Sequence, residues 1–190
     1  LLQDPAAREA QLRGLDEVLA MWREAVPALP GLLLRIVGGG RWQGELEAKV
    51  RDLGLGRHVE FTGRLPYQQA LHTVALGDVG IIPHRITAHT SSTIPNKLFE
   101  YMLLGQPVLA TAMAPVRRIV TDVDCGRVYA DRAEGLAALR ALADPTLRAK
   151  LGANGRRAVR EDYHWGRDAG VLLSTLRAVV RPGALDTAVC

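Results

Sequence analysis

Short apolar runs that end at glycine or proline alternate along this chain with longer amphipathic stretches, and this alternation most restricts the folds open to it. Residues 32–37 end at three glycines, residues 59–61 at Thr-Gly and residues 79–82 at Pro83. Runs this short, with these boundaries, are typical of buried parallel strands. Two further runs and the stub of a first strand complete the prediction: residues 107–110, 127–129 and 1–3.

Helical patterns occupy the stretches between these runs. Leu15, Val18, Leu19 and Trp22 fall on one helical face, for example. Alternating strands and helices predict βαβ units, and so an α/β, Rossmann-like, doubly wound parallel sheet with helices on both faces. The 190 residues suffice for a single domain, residues 1–190. The predicted helices cover residues 15–22, 46–53, 67–75, 95–104, 116–122, 133–142, 147–159 and 165–180.

The predicted sheet has a natural place for a ligand. Ligands bind beyond the carboxyl ends of the strands, at the point where the strand order reverses. If the order is the common 3-2-1-4-5-6, the reversal lies between the first and fourth strands. Residues 4–13 and 83–95, which follow those strands, would then border the crevice.

The second of these loops leads into a helix start that suits an anion. Pro95 is favourable in a first helical turn, and the backbone N–H groups near Asn96 and Lys97 would point out of the helix. A helix N-terminus carries about half a positive charge and binds phosphate readily. The alternative is ordinary capping beside an exposed lysine.

Three charged residues near this crevice need partners. Glu100 lies among apolar residues, where an unpartnered carboxylate is costly. It either faces water next to Lys97 or accepts hydrogen bonds from a pair of hydroxyls, such as those of a sugar. Arg8 and Arg13 lie in the other loop, and arginine suits phosphate oxygens. For the arginines the alternative is a solvated face.

Two patterns resemble known sites but are assigned to turns. The triple glycine at residues 38–40 lacks the third glycine of a dinucleotide fingerprint, because position 43 is Gln43, and it follows the second predicted strand instead of the first. Asp122 and Asp124 form an Asp-x-Asp pattern that binds metal in some sugar transferases. That pattern comes late in the fold, without acidic neighbours, which favours a turn.

Composition excludes several classes of protein. His84 and His89 have no further ligands at metal-binding spacing, and Cys125 and Cys190 have no activating neighbour, so no metal site or thiol nucleophile is predicted. The formal net charge is +4, but aromatic residues make up only 5%, which argues against a nucleic-acid partner. No run is long and apolar enough for a membrane helix, and no secretory signal opens the chain.

The chain as a whole resembles the carboxyl-terminal half of a family 4 glycosyltransferase with the GT-B fold. The block at residues 92–111 together with that at residues 58–66 is fairly specific, and the matching stretches cover nearly the entire chain in the right order. They are RGLDEVLAMW (13–22), LLLRIVGGG (32–40), LGLGRHVEFTGRLPYQQ (53–69), GDVGIIPHR (77–85), STIPNKLFEYMLLGQPVLAT (92–111), CGRVYA (125–130) and EDYHW (161–165).

The resemblance implies a role for each crevice residue in binding a nucleoside-diphosphate sugar. Glu100 corresponds to the second glutamate of a Glu-x7-Glu motif, which holds the ribose hydroxyls. Arg64 and Leu65 would meet the nucleobase through backbone groups, the helix start would face the diphosphate, and Arg8 and Arg13 would neutralise it. The implied catalytic residues are Glu100, Arg13 and Arg8, and the implied binding residues are Arg64, Leu65, Ser92, Thr93, Ile94, Pro95, Asn96, Lys97 and Glu100.

Two departures from the family pattern matter. Ser92 stands where the first glutamate of the motif would fall, so the hydroxyl brings no charge, and Ala7 replaces the usual glycine before Arg8. The amino-terminal half, which binds the acceptor in such enzymes, is not represented. Residues 165–180 would be the helix that crosses back to it. The resemblance therefore predicts that this chain binds donor but turns over poorly by itself.

These inferences predict the donor-binding domain of a hexosyl-type transferase that acts on an acceptor hydroxyl. The resemblance implies retention of configuration, no metal and no cofactor besides the nucleotide sugar. It also implies polysaccharide or glycolipid synthesis in the cytoplasm, near the inner face of a membrane that carries the acceptor. Two alternatives stay open. One is a non-catalytic nucleotide-binding or interaction module, and the other is a nucleotide-sugar epimerase of the same fold.

Overall fold

The computed structural model describes residues 14–88 and 90–180, in which five strands alternate with helices. The predicted strands and helices within these residues are all present, and most of their ends are displaced by one to three residues. The predicted first strand, residues 1–3, lies outside the described residues. In chain order the elements are α1 Leu15–Ala25, β1 Leu34–Val37, α2 Gln43–Asp52, β2 Val59–Gly63, α3 Tyr67–Ala75, β3 Gly80–Ile82, α4 Lys97–Leu104, β4 Val108–Thr111, α5 Ala114–Val123, β5 Gly126–Tyr129, α6 Arg132–Ala141, α7 Pro145–Glu161 and α8 Trp165–Val179.

The described strands form two parallel sheets. β1 pairs with β2, with Leu34 opposite Val59, and β4 lies between β3 and β5. These neighbours are the ones that the order 3-2-1-4-5-6 predicts.

The core consists of two clusters, the first of which contains residues of both sheets and the second residues of β3 and β4. In the first, α1 buries Val18, Leu19 and Trp22, three members of the face predicted from their spacing. In the second, α4 buries Leu98 and Met102 against β4 and α5. Both α1 and α4 follow the predicted crevice loops, so their packing fixes where those loops end.

Glycines let α7 pack closely along α4. A β-carbon on Gly152 would lie 1.9 Å from the carbonyl oxygen of Gly105, and one on Gly155 would lie 3.2 Å from the Met102 Cγ. The later residue of α7, Gly155, contacts the earlier residue of α4, Met102, so the two helices are antiparallel. Arg156 of α7 also donates to the carbonyl oxygens of Leu103 and Leu104, at 3.3 and 2.7 Å. Helix α7 thus holds the carboxyl end of α4 in place.

Helix α8 differs from the other long helices because it has no buried residue. Within the described part of the chain, no helix is long and apolar enough to cross a membrane. The exposed large apolar side chains of α8 are Trp165, Val171, Leu172, Leu173, Leu176 and Val179.

Candidate functional site

The loops that follow β1 and β2 contact each other at the carboxyl ends of these strands. The Gly38 N–H donates to the Gly63 carbonyl oxygen at 3.0 Å, and Gly39 lies against Arg64. Gly38 and Gly63 have φ values of 127° and 68°, which a residue with a β-carbon rarely adopts. The triple glycine is therefore a strand-to-helix turn, as the sequence predicts. It brings the exposed Arg64 and the half-buried Leu65 to the edge of the sheet.

Glu100 lies on the side of α4 that faces this loop. The Tyr67 hydroxyl is 3.5 Å from Glu100 Oε1, a long hydrogen bond. Glu100 is half-buried, whereas its neighbours Leu98 and Met102 are fully buried. The carboxylate thus avoids the core of the helix interface and faces the crevice with access to solvent. That position leaves it able to accept hydrogen bonds from a pair of hydroxyls.

Helix α4 begins later than the sequence predicts. Its first residue is Lys97 and Asn96 is the N-cap, so the prediction of Pro95 in the first helical turn is wrong. The first backbone bonds run from the Leu98 N–H to Pro95 and from the Glu100 N–H to Asn96. The N–H groups at a helix start point outward along its axis, an orientation that suits an anion.

The segment between β3 and α4 is organised by its threonines. Thr90 Oγ1 donates to the Arg85 carbonyl oxygen at 2.6 Å and accepts from the Thr87 N–H at 2.8 Å. Ser92 Oγ donates to the Ala88 carbonyl oxygen at 3.4 Å, a weak bond within the same turn. Ser92 and Thr93 are exposed, while Ile94 and Pro95 are half-buried. The predicted diphosphate-facing residues thus form one ordered loop at the helix start.

The start of α1 meets the same loop. Gly14 has φ 78°, and a β-carbon there would lie 1.8 Å from the Pro83 carbonyl oxygen, so only glycine permits this approach. Arg85 Nη2 donates to Asp16 Oδ2 at 2.6 Å, which joins the loop to the first turn of α1. The ends of the two predicted crevice loops therefore meet. Arg8 and Arg13 themselves lie outside the described residues.

Sequence reasoning missed two contacts that shape this site. Tyr67 and Glu100 are 33 residues apart, and Asp16 and Arg85 are 69 residues apart. No local pattern relates residues this distant. The only sequence signal is that each lies within a few residues of a strand's carboxyl end or of a helix start.

Of the Asp-x-Asp pattern assigned to a turn, only Asp124 lies in one, whereas Asp122 belongs to the last turn of helix α5. Asp124 has φ 49° and caps the C-terminus of α5. The Lys150 ammonium, 3.0 Å from Asp124 Oδ2, and then Arg127 hold the pKa of this carboxyl below its usual value, against a smaller effect of burial. Burial raises the pKa of the Cys125 thiol to about 11, which disfavours a nucleophilic thiolate. Residues 14–88 and 90–180 hold no cluster of three or more His, Cys, Asp or Glu side chains that could bind a metal.

Buried tyrosines predict a loss of stability in alkali. Burial, with the Glu100 charge adding to it, raises the pKa of Tyr101 to about 12, and burial beside Glu17 raises that of Tyr129 to about 12. The folded state keeps these protons while the unfolded chain releases them from about pH 10. The free energy of unfolding should therefore be unaffected below the ordinary pKa and fall as pH rises from about 10 to 12.

Thermal melts between pH 8 and 11 would measure this fall. Tyr101→Phe should flatten the decline above pH 10, because it removes one of the two phenols whose pKa burial raises. Equal slopes for Tyr101→Phe and the unmodified chain would contradict the prediction.

Comparison with models of known protein families identifies the family of this chain. Residues 7–158 match the family model described as glycosyl transferases group 1. The chain belongs to the glycosyl transferases group 1 family. The match includes every predicted site residue, from Arg8 to Glu100.

This group 1 chain is similar to several curated proteins. One is a mannosyltransferase of Corynebacterium glutamicum, named GDP-mannose-dependent monoacylated α-(1-6)-phosphatidylinositol monomannoside mannosyltransferase. It is 29% identical over 157 residues, which are 80% of this chain and 41% of that protein. The phosphatidyl-myo-inositol mannosyltransferase of Mycolicibacterium smegmatis is 30% identical over 80% of this chain and 38% of its own length. The chain thus spans about 40% of the curated relatives that it matches.

Solved structures show that the group 1 chain has the fold of a single GT-B domain. The C-terminal domain of the group 1 protein LpcC from Francisella tularensis, at 20% identity, superposes with a TM-score of 0.67 over 82% of each chain. Anabaena Alr3699/HepE in complex with UDP, at 17% identity, gives a TM-score of 0.74 over 89% of this chain and 46% of that one. The predicted Rossmann-like doubly wound fold is therefore confirmed, as is the resemblance to the C-terminal half.

Proposed function

We propose that this chain is the donor-binding domain of a glycosyltransferase that moves a sugar from a nucleoside diphosphate to an acceptor hydroxyl. One observation carries the proposal. The half-buried carboxylate of Glu100 lies beside the loop that follows β2 and one turn into the helix whose start can face an anion. A nucleoside diphosphate presents vicinal hydroxyls next to two phosphates, and this arrangement complements both.

Each residue then has a role set by its position. Glu100 accepts hydrogen bonds from the ribose hydroxyls, and backbone groups at Arg64 and Leu65 meet the base. Lys97 and the N-terminus of α4 face the diphosphate, and Arg8 and Arg13 neutralise it. These cations stabilise the charge that develops on the departing diphosphate. The reaction retains the anomeric configuration and needs neither a bound metal nor another cofactor. Ile94, Pro95 and Asn96 face the diphosphate at the same helix start, and Ser92 and Thr93 bind the nucleotide sugar from the loop before it.

The names of the relatives narrow the donor and the acceptor. The C. glutamicum relative and an M. smegmatis relative, 29% identical over 86% of this chain, are named as dependent on GDP-mannose and as acting on a phosphatidylinositol mannoside. We therefore take GDP-mannose as the first donor to test and a membrane-borne acceptor, reached at the cytoplasmic face, as the second substrate. Turnover needs a second domain, and the exposed apolar residues of α8 fit the predicted crossing to it.

A non-catalytic nucleotide-binding module remains the second candidate. The observation that favours it is Ser92, whose hydroxyl donates within its own loop where the family motif has a carboxylate. The epimerase alternative has less support, because the family model that matches describes glycosyl transferases.

Calorimetric titration of the chain with GDP, UDP and ADP tests the donor site. We expect saturable binding of GDP with one site per chain and weaker binding of the other two. Failure of all three nucleotides to bind, with a cooperative thermal melt showing that the chain is folded, would contradict the proposal. Binding without transfer by an enzyme that contains both domains would favour the non-catalytic module.

A further inference from the structure

The basic residues of this chain are segregated in a way that net charge alone conceals. The chain has 24 basic and 20 acidic residues, a net charge of +4. Helix α7 contains five basic residues and one acidic residue, Glu161. The rest of the chain therefore has 19 of each and is neutral overall. All of the excess positive charge lies on one 17-residue helix.

Three of these cations form one outward-facing surface. Arg156, Arg157 and Arg160 are exposed, while Leu151, Gly155, Ala158 and Val159 bury the opposite side of α7. The three arginines, together with Glu161, rim an open depression of about 460 Å³ whose floor is made of small residues, so the rim has a net charge of about +2. We call this the arginine face, and its floor consists of Gly105, Ala149, Gly152 and Ala153.

Among the residues that the structure describes, none forms a carboxylate ion pair with these three arginines. Arg156 donates to the backbone carbonyls at the end of α4, and Arg157 Nη2 donates to Asn154 Oδ1 at 3.1 Å. Carbonyl and amide oxygens orient these guanidinium groups without cancelling their charge. Lys150, by contrast, is paired with Asp124, and Arg148 with Asp78. The cationic potential is thus concentrated toward the C-terminal part of α7.

Apolar side chains flank the arginine face. Leu103, whose carbonyl accepts from Arg156, is 52% exposed, and Trp165, just beyond the end of α7, is 72% exposed. A basic helix face with apolar side chains beside it is the pattern that binds the headgroup region of anionic bilayers. Each arginine near such a surface contributes about 1 kcal/mol of attraction.

We propose that the arginine face docks this domain on an anionic lipid bilayer, with the guanidinium groups against lipid phosphates. The inference goes beyond donor binding and does not depend on it. The depression is lined by Gly105, at the carboxyl end of α4, whereas the crevice lies at the start of that helix, so docking at the depression leaves the crevice open. A transferase held in this way would keep its donor site beside a membrane-borne acceptor.

Vesicle co-sedimentation tests the proposal with the chain as it stands. We expect binding to vesicles of phosphatidylcholine mixed with phosphatidylglycerol, little binding to phosphatidylcholine alone, and a decline with added salt. The double variant Arg157→Gln/Arg160→Gln should weaken partitioning about 30-fold. Arg117→Gln/Arg118→Gln, which removes the same charge from exposed positions on α5, should weaken it by about threefold or less.

A charge-preserving variant separates a bilayer surface from a pocket for a single phosphate. Arg157→Lys/Arg160→Lys should keep binding within about threefold, because attraction to a charged surface depends on charge more than on guanidinium geometry. Thermal melts would confirm that each variant is folded. Equal effects of the α5 and α7 glutamine pairs would overturn the proposal. So would displacement of the chain from the vesicles by inorganic phosphate added at constant ionic strength. GDP binding should be unchanged in every variant.

Discussion

Replacing Glu100 by glutamine should weaken the binding of GDP by about 100-fold or more. A carboxylate can accept hydrogen bonds from both ribose hydroxyls, and each bond to a charged acceptor contributes about 1.5–3 kcal/mol. Glutamine keeps the size of the side chain but replaces one acceptor oxygen by a donor group. Calorimetric titration of Glu100→Gln against the unmodified chain measures the difference directly.

A matched control separates the loss of this carboxylate from the loss of one negative charge. Asp122→Asn makes the same chemical change on an exposed residue of α5 and should bind GDP as the unmodified chain does. Tyr67→Phe removes only the long hydrogen bond to Glu100 Oε1 and should weaken binding by less than tenfold. A Glu100→Gln variant that binds GDP normally would remove Glu100 from the site.

Gly152→Ala should lower the melting temperature by about 10 °C. A β-carbon at this position would lie 1.9 Å from the Gly105 carbonyl oxygen, a backbone atom that cannot move without shifting the end of α4. Overpacking of this kind costs about 3 kcal/mol, and in a chain of this size each kcal/mol lowers the melting temperature by about 2–4 °C. Differential scanning calorimetry would measure the shift.

Gly170→Ala in α8 is the control for this substitution. No atom lies within 4 Å of the position a β-carbon would take there, and alanine is a better helix former than glycine by about 1 kcal/mol. This variant should melt at the same temperature as the unmodified chain or a little higher. If Gly152→Ala melted in the same way, α7 could not be packed on α4 as closely as described.

Much of the fold could be predicted because its signals are local. The apolar face of α1 and the glycine and proline boundaries of the strands depend on neighbouring residues, so their positions were confirmed to within a few residues. The start of α4 was predicted two residues too early. Pro95 is compatible with a first helical turn, but the helix begins at Lys97 after Asn96, whose side chain makes no capping hydrogen bond, and a local pattern does not distinguish these starts.

The candidate site was predictable only in part. Glu100, Lys97 and the loop at Arg64 follow from motif resemblance and from the rule that parallel strands place their carboxyl ends at one edge. Their partners do not, because Tyr67 reaches Glu100 across 33 residues and Arg85 reaches Asp16 across 69. The arginine face was not predicted either. Basic residues are spread along the sequence, and only the packing of α7 shows that three of them lie on its exposed side.

The sequence by itself determined the alternation of strands and helices, the parallel sheet and the family, because these depend on periodicity and on short stretches read in order. The tertiary structure alone decided which side of α4 carries Glu100 and which residues meet it. It also decided that α7 lies against α4 with its arginines outward. Those outcomes depend on packing between segments far apart in the chain, where close contacts at Gly14 and Gly152 permit only one arrangement.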